Sequence, residues 1–241
     1  MIFSEVYRTN IEDYGRNGKL SIEAILRILE NIGSHHSDSV GDGIVKGSLN
    51  GTAWILSEWN IFIHYRPEYT KTLNVSTWSR GKATSCTSNR DYLITDENNS
   101  EIAYGSAKFI LFDLNEGKLA RISDDLLEKY SPEPNKKALG DREFPKMREP
   151  QEYLCEKIIP LRRCDIDFNS HVHNLSYLNF ALEAMPEKEY LADSFTSVRI
   201  LFKKQISECE SVVAKYAYCD DTHIVGIYST DGTLHSLIQL N

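Results

Sequence analysis

The chain has no C-x-x-C pair, and its five cysteines are an odd number: Cys86, Cys155, Cys164, Cys209 and Cys219. That argues against a disulfide framework and against a cysteine-built zinc site, and reduced thiols are expected. The opening "MIFSEVYRTN" has no basic region followed by an apolar run, so no secretory signal is expected and the location read from it is cytoplasmic. No stretch is apolar for the length of a bilayer, which argues against membrane insertion. Long runs of Lys or Arg are also missing, and the net charge is −8, so nucleic acid is not an expected partner. What remains is a soluble composition, 41% hydrophobic and 26% charged over 241 residues, with enough apolar material for a core.

The opening segment reads as a strand, and "EDYGRNG" as a polar turn. In "KLSIEAILRILENIGSHH", Ile22, Ile25, Leu26, Leu29 and Ile32 fall at helical spacing. Ser21 is a fitting cap and Gly33 a fitting end, with His35 and His36 placed to meet the helix dipole. "AWILSEWNIFIHY" and "KTLNVSTWSR" read as strands flanking "RPEY"; two more surround "DENNSE", and a hairpin sits at "LNEGK". Trp54, Trp59 and Trp78 read as core or sheet-face residues. Residues 131–150 hold four of the seven prolines and read as a linker between a first unit, 1–130, and a second, 151–241.

After the linker the order restarts: strand, polar turn, helix, four strands. The "LS" at 20–21 recurs at 175–176, and the break in "IHYRPEYTKTLNV" resembles that in "LFKKQISECESVV". The second helix, "NLSYLNFALEAMP", with Asn174 as its cap, is apolar almost all round and must be enclosed. The fold class is therefore α+β. A helix enclosed by an antiparallel sheet is the hotdog arrangement, and two in one chain make a tandem hotdog.

The densest polar chemistry lies directly before that helix, in "DIDFNSHVHNLSYLNFALEAMP". Asp165, Asp167, Asn169 and His171 alternate, so an extended backbone would point them one way and a turn would cluster them. A helix N-terminus offers N–H groups to a carbonyl oxygen that becomes negative in acyl transfer. A carboxylate beside it serves as base or nucleophile, oriented by an Asn or His. The plainer role for Asp165 and Asn169 is capping and turn formation. The stretch also resembles the start of a calcium loop, but Ser170 and Ser176 stand where such a loop needs Gly and Glu. "HVH" offers two zinc ligands, yet nothing else in the chain spells a zinc site, and no metal or cofactor is expected.

These residues resemble the active-site segment of the acyl-ACP thioesterases, the plant plastid enzymes and their bacterial relatives. Asp165, Asp167, Asn169, His171, Val172, Asn174, Tyr177, Glu183 and Pro186 are in register with that family's pattern, and His173 replaces an Asn. Trp54, Pro67, Thr77, Trp78, Arg90 and Asp113 extend the likeness through the first half, where "AWILSEWNIFIHYRPEYTKTLNVSTWSR" looks like the family's first long hairpin. The resemblance implies a tandem hotdog that hydrolyses fatty acyl-ACP, with an N-terminal unit shaping the acyl pocket and a C-terminal unit carrying Asp167, Asn169 and His171 as catalytic residues. It implies acyl carrier protein as partner; Arg162, Arg163, Lys203 and Lys204 read as a basic patch for that acidic protein or as solvated strand ends, and a tandem hotdog is expected as a monomer or, by pairing of sheet edges, a homodimer. One departure stands out: the family's Glu-Cys pair falls on Gln205 and Ile206, with Cys209 four residues beyond Gln205. A Gln cannot act as a base, although it can hold a water or orient Asn169. An acyl-CoA hydrolase and a non-catalytic acyl or acyl-ACP binder are the alternatives.

Overall fold

The apolar spacing after Ser21 does produce a helix, and the length of that helix is the first departure from expectation. The structure is a computed structural model that describes residues 1–69, 72–140, 144, 146–207 and 210–241; Cys209 and part of the segment 131–150 lie outside these. Two units form, Met1–Glu143 and Phe144–Asn241. Among the described residues, no helix is long and apolar enough to cross a membrane.

The first unit runs Phe3–Arg8 (β1), a 3-10 turn at Ile11–Asp13, Ile22–Ser39 (α1), Ile44–Leu49 (α2), Thr52–Ile63 (β2), Thr72–Lys82 (β3), Thr87–Thr95 (β4), Glu101–Asp113 (β5), Lys118–Leu119 (β6) and Asp124–Glu128 (α3). Ser21 caps α1, its Oγ accepting the Ala24 N–H at 3.0 Å. Ile22, Ile25, Leu26, Leu29 and Ile32 are all buried, and α1 packs chiefly on β3. Each such side chain contributes about 1.5–3 kcal/mol by leaving water.

Gly33 does not end α1, which continues to Ser39. The glycine is there for room: a Cβ would stand 3.1 Å from the Tyr92 hydroxyl. His36 is correspondingly not a dipole partner. It is fully buried, receives Arg90 Nη1 at Nδ1 (2.8 Å) and stacks on Phe3. Burial and the Arg90 charge push its pKa down to about 4, so the ring is neutral. His35 faces Glu5 at 2.8 Å.

The sheet order is β1-β3-β4-β5-β2, antiparallel throughout, with β6 beside β5. β2 and β3 are therefore not the hairpin partners that the family likeness implies. β2 pairs along its length with β5, and the two backbones approach so closely that a Cβ at Gly105 would lie 2.3 Å from the Asn60 carbonyl. Residues of the proline-rich segment lie along this unit. Glu133 N–H donates to Ser79 O, Trp78 Nε1 to Lys136 O, and Ala138 N–H to the buried Asp91 carboxylate. Trp59 and Trp78 are buried, while Trp54 is partly buried and donates to Asp42 at 2.8 Å.

The second unit runs Cys155–Pro160 (β7), a 3-10 turn at Arg163–Asp165, Asn174–Ala184 (α4), Glu187–Ala192 (α5), Ser197–Phe202 (β8), Ser211–Cys219 (β9), Thr222–Tyr228 (β10) and Leu234–Leu240 (β11). Its order, β8-β11-β10-β9-β7, repeats β2-β5-β4-β3-β1 strand for strand, again antiparallel. Tyr177, Leu178, Phe180, Ala181, Leu182 and Ala184 bury α4 against β7, β9, β10 and β11. Each unit is thus one principal helix laid on five strands in the same order, with the short β6 added beside β5 in the first. α2, α3 and α5 are short additions that the periodicity does not reveal.

Candidate active site

The segment before α4 folds as a tight loop rather than an extended strand. A single antiparallel bridge joins Ile166 to Val172. Inside it, Asp167 N–H donates to His171 O at 2.8 Å and Ser170 N–H to Asp167 O at 3.0 Å. Ser170 takes φ +61°, the left-handed conformation that such a turn requires.

Asp167 closes the loop with its side chain. Its Oδ1 accepts the N–H of Asn169 at 2.8 Å and of His171 at 3.2 Å. This is the turn chemistry for which Asp is favoured, and it leaves the second carboxylate oxygen outside the turn. Asp167 and His171 are partly buried; Asn169 and Phe168, between and beside them, are exposed. The three predicted site residues therefore occupy one five-residue loop, and the Asp167 carboxylate touches the backbone of the other two.

Asp165 is separate from them and structural. It is 1% exposed and accepts the Arg162 N–H at 2.8 Å and its guanidinium at 2.7 and 3.2 Å. Burial raises the Asp165 carboxyl, but the hydrogen bonds and charge of Arg162 outweigh it and hold the group below the usual carboxylate value. Arg162 is thereby committed to the fold, and Lys203 lies 3.9 Å from Glu149.

The helix cap is His173, not Asn174: its Nδ1 accepts the Leu175 N–H at 3.4 Å, and its carbonyl the Ser176 N–H at 2.9 Å. Those two helix-end donors are therefore engaged within the chain. The far side of the loop is fixed by Ile206, whose carbonyl accepts the Val172 N–H at 2.9 Å and whose N–H donates to the Tyr177 hydroxyl at 3.1 Å. Gln205, exposed, immediately precedes this bracket, and the position where the resemblance implies Cys is held by buried Ile206. The bracketing role of Tyr177 has no local signature, since an apolar helix hides one useful hydroxyl among packing rings. Among the described residues, no cluster of His, Cys, Asp and Glu is arranged to hold a metal.

Comparison with known proteins agrees with this architecture. Residues 1–130 match the family model for the acyl-ACP thioesterase N-terminal domain, and residues 148–235 match that for the C-terminal domain. The chloroplastic oleoyl-acyl carrier protein thioesterase of Coriandrum sativum is 23% identical over 95% of this chain, and that of Arabidopsis thaliana (thioesterase 1) is 25% identical over 77%. The chain spans 67% and 55% of those two proteins. Among solved structures, a 12:0-ACP thioesterase from Umbellularia californica matches with a TM-score of 0.87 at 17% identity, covering 100% of this chain and 96% of that one. An acyl-ACP thioesterase from Bacteroides thetaiotaomicron matches at 0.84 and 15% identity, covering 99% and 96%. The structural likenesses carry the tandem hotdog fold, and the two family matches together account for most of the sequence. The chain belongs to the acyl-ACP thioesterase family.

Proposed function

We propose that this chain hydrolyses the thioester between a fatty acyl group and acyl carrier protein, and that Asp167, Asn169 and His171 carry the reaction. The observation that supports this most is the pair of family matches, one over each half of the chain. In this reading the Asn169 amide holds the thioester oxygen as it becomes negative. Asp167 takes a proton from water, which attacks the carbonyl carbon. The carbon–sulfur bond breaks, and the proton held by Asp167 passes through His171 to the leaving thiolate, giving fatty acid and free carrier thiol. Gln205 supplies an amide to hold the water, since it cannot take a proton. Residues 1–130 shape the acyl pocket, 131–150 carry the chain from one half to the other, in part along the first unit, and 151–241 does the chemistry.

Thiol release from a panel of acyl-ACPs and acyl-CoAs tests this. Asp167→Asn should lower kcat on acyl-ACP about 10³-fold, and Asn169→Ala about 10²-fold. Turnover that survives both substitutions would remove the assigned site. Preference for acyl-CoA would change the carrier. Gln205 and Ile206, at the positions of the family's Glu and Cys, favour a second reading, a protein that binds acyl-ACP without cutting it; tight binding with no turnover would establish that reading.

A further inference from the structure

We infer that His235 is a positioning residue for this site, acting through the Lys204 carbonyl to fix Gln205 and the Ile206 bracket. The inference rests on the site assignment above. His235 lies on β11, is 6% exposed, and has both ring nitrogens engaged. Nδ1 stands 3.0 Å from Lys204 O, and Nε2 stands 3.0 Å from Ser229 Oγ. A carbonyl only accepts, so Nδ1 carries the hydrogen. Ser229 Oγ also lies 2.5 Å from the Asp231 carboxylate, so its one hydroxyl hydrogen is shared between that oxygen and Nε2, and Asp231 accepts the Thr233 N–H at 2.9 Å. The imidazole is thus oriented from behind by a serine and a carboxylate, and its front edge holds one backbone carbonyl.

That carbonyl belongs to the residue before Gln205. Lys203 and Lys204 N–H both donate to the His235 backbone oxygen, at 2.8 and 3.2 Å. Two residues on, Ile206 makes its two bonds to Tyr177 and Val172. Residues 203–206 are therefore pinned at both ends, by His235 on one side and by α4 and the candidate loop on the other.

The first unit supplies an internal control. His64 N–H donates to Ile102 O, as Lys203 N–H does to His235 O. Asp96 N–H donates to Ser100 O and Asn99 N–H to Asp96 O, matching Ser229 to Thr233 and Gly232 to Ser229. In that geometry Ile102, fully buried, stands where His235 stands, and Asp96 where Ser229 stands. Pro67 takes the Leu20 N–H at 2.9 Å, as Ile206 takes that of Val172, and Pro67 has no N–H to give. The fold itself accepts an apolar residue at this place. Only the unit with the Asp167 loop has an imidazole here.

The test replaces His235 by the residue of the other unit. His235→Ile should lower kcat on acyl-ACP about tenfold with KM nearly unchanged. His235→Asn, whose amide can donate where Nδ1 does, should recover most of the loss. Hydrogen exchange of the Val172 and Ile206 amides, read on the same proteins, should speed up about tenfold in His235→Ile, return in His235→Asn, and leave the β8 and β10 amides unchanged. Ser229→Ala, which removes only the support behind the ring, should give the same pattern more weakly. Unaltered Val172 exchange in His235→Ile, or a His235→Asn protein no better than His235→Ile, would overturn the inference. Faster Val172 exchange in a protein that turns over no substrate would uphold the positioning link and overturn the hydrolase reading instead.

Discussion

The loops that precede the two principal helices have one backbone and two chemistries. Each begins with a 3-10 turn that ends in a buried aspartate, Asp13 or Asp165, whose Oδ2 accepts the N–H three residues earlier at 2.7 or 2.8 Å. Each has a bridge across the loop, Tyr14 to Leu20 and Ile166 to Val172. Each has a left-handed residue, Gly18 at φ +74° and Ser170 at φ +61°. The aspartate carbonyl then accepts an N–H from the residue before the helix, Ser21 or His173, at 2.9 or 2.8 Å. Between these fixed points, Gly15, Asn17 and Lys19 occupy the places of Asp167, Asn169 and His171. Asn17 Oδ1 accepts the Lys19 N–H, so in the first unit the asparagine closes the turn that Asp167 closes in the second. The scaffold is common to both, and the Asp167 carboxylate and the His171 imidazole are found in one copy only.

The comparison breaks most readily at the two buried aspartates. If they are equivalent braces, Asp13→Ala and Asp165→Ala should each destabilise the protein, by about 1–3 kcal/mol, because each leaves the backbone N–H three residues earlier without its acceptor. Denaturant unfolding of the two variants would check this. A large loss in one and none in the other would show that only one loop needs its brace. The second brace also carries a pH dependence. The folded Asp165 value is depressed, so its contribution is complete above the unfolded carboxylate value and is lost as pH falls through the folded one.

A smaller effect separates the helices. α1 runs 18 residues and carries buried His36 in its last turns, whereas α4 runs 11 and stops at Ala184. With a folded pKa of about 4 against an ordinary 6.5, His36 contributes stability above pH 6.5 that is lost as pH falls toward 4. All three tryptophans lie in the first unit, so their fluorescence reports that unit. Its acid transition should move to lower pH in His36→Gln, provided the Arg90 contact survives, and an unmoved transition would remove His36 as its cause. The smallest effect concerns the left-handed positions. Gly18→Ala should cost about 1 kcal/mol and Ser170→Gly should gain somewhat less, measured as opposite shifts in Tm.

Much of this was legible in the sequence because local rules govern it. Ser21 capped the first helix, the apolar spacing of 22–32 gave its buried face, and the order of strands in both halves survived in the fold. The bunched Asp167, Asn169 and His171 were visible as a polar cluster against an apolar helix. What was not legible depended on distant contacts. Gly33 looked like a stop, yet Tyr92 on β4 explains it. The "LS" pairs suggested a repeat three residues out of step, since Leu20–Ser21 correspond structurally to Val172–His173. His36 and His235 are both buried histidines whose roles are set by Arg90 and Lys204, which no spacing rule connects to them.

The double duty of the Asp167 carboxylate constrains which substitutions this site can accept. One oxygen is a joint in the turn, and the proposed chemistry needs the other. A glutamate would keep the charge but carry it one carbon further, past the reach of the Asn169 and His171 amides, and the turn would open. Charge-preserving change is therefore no safer here than charge removal, and the loop's shape and its proposed chemistry can be altered only together.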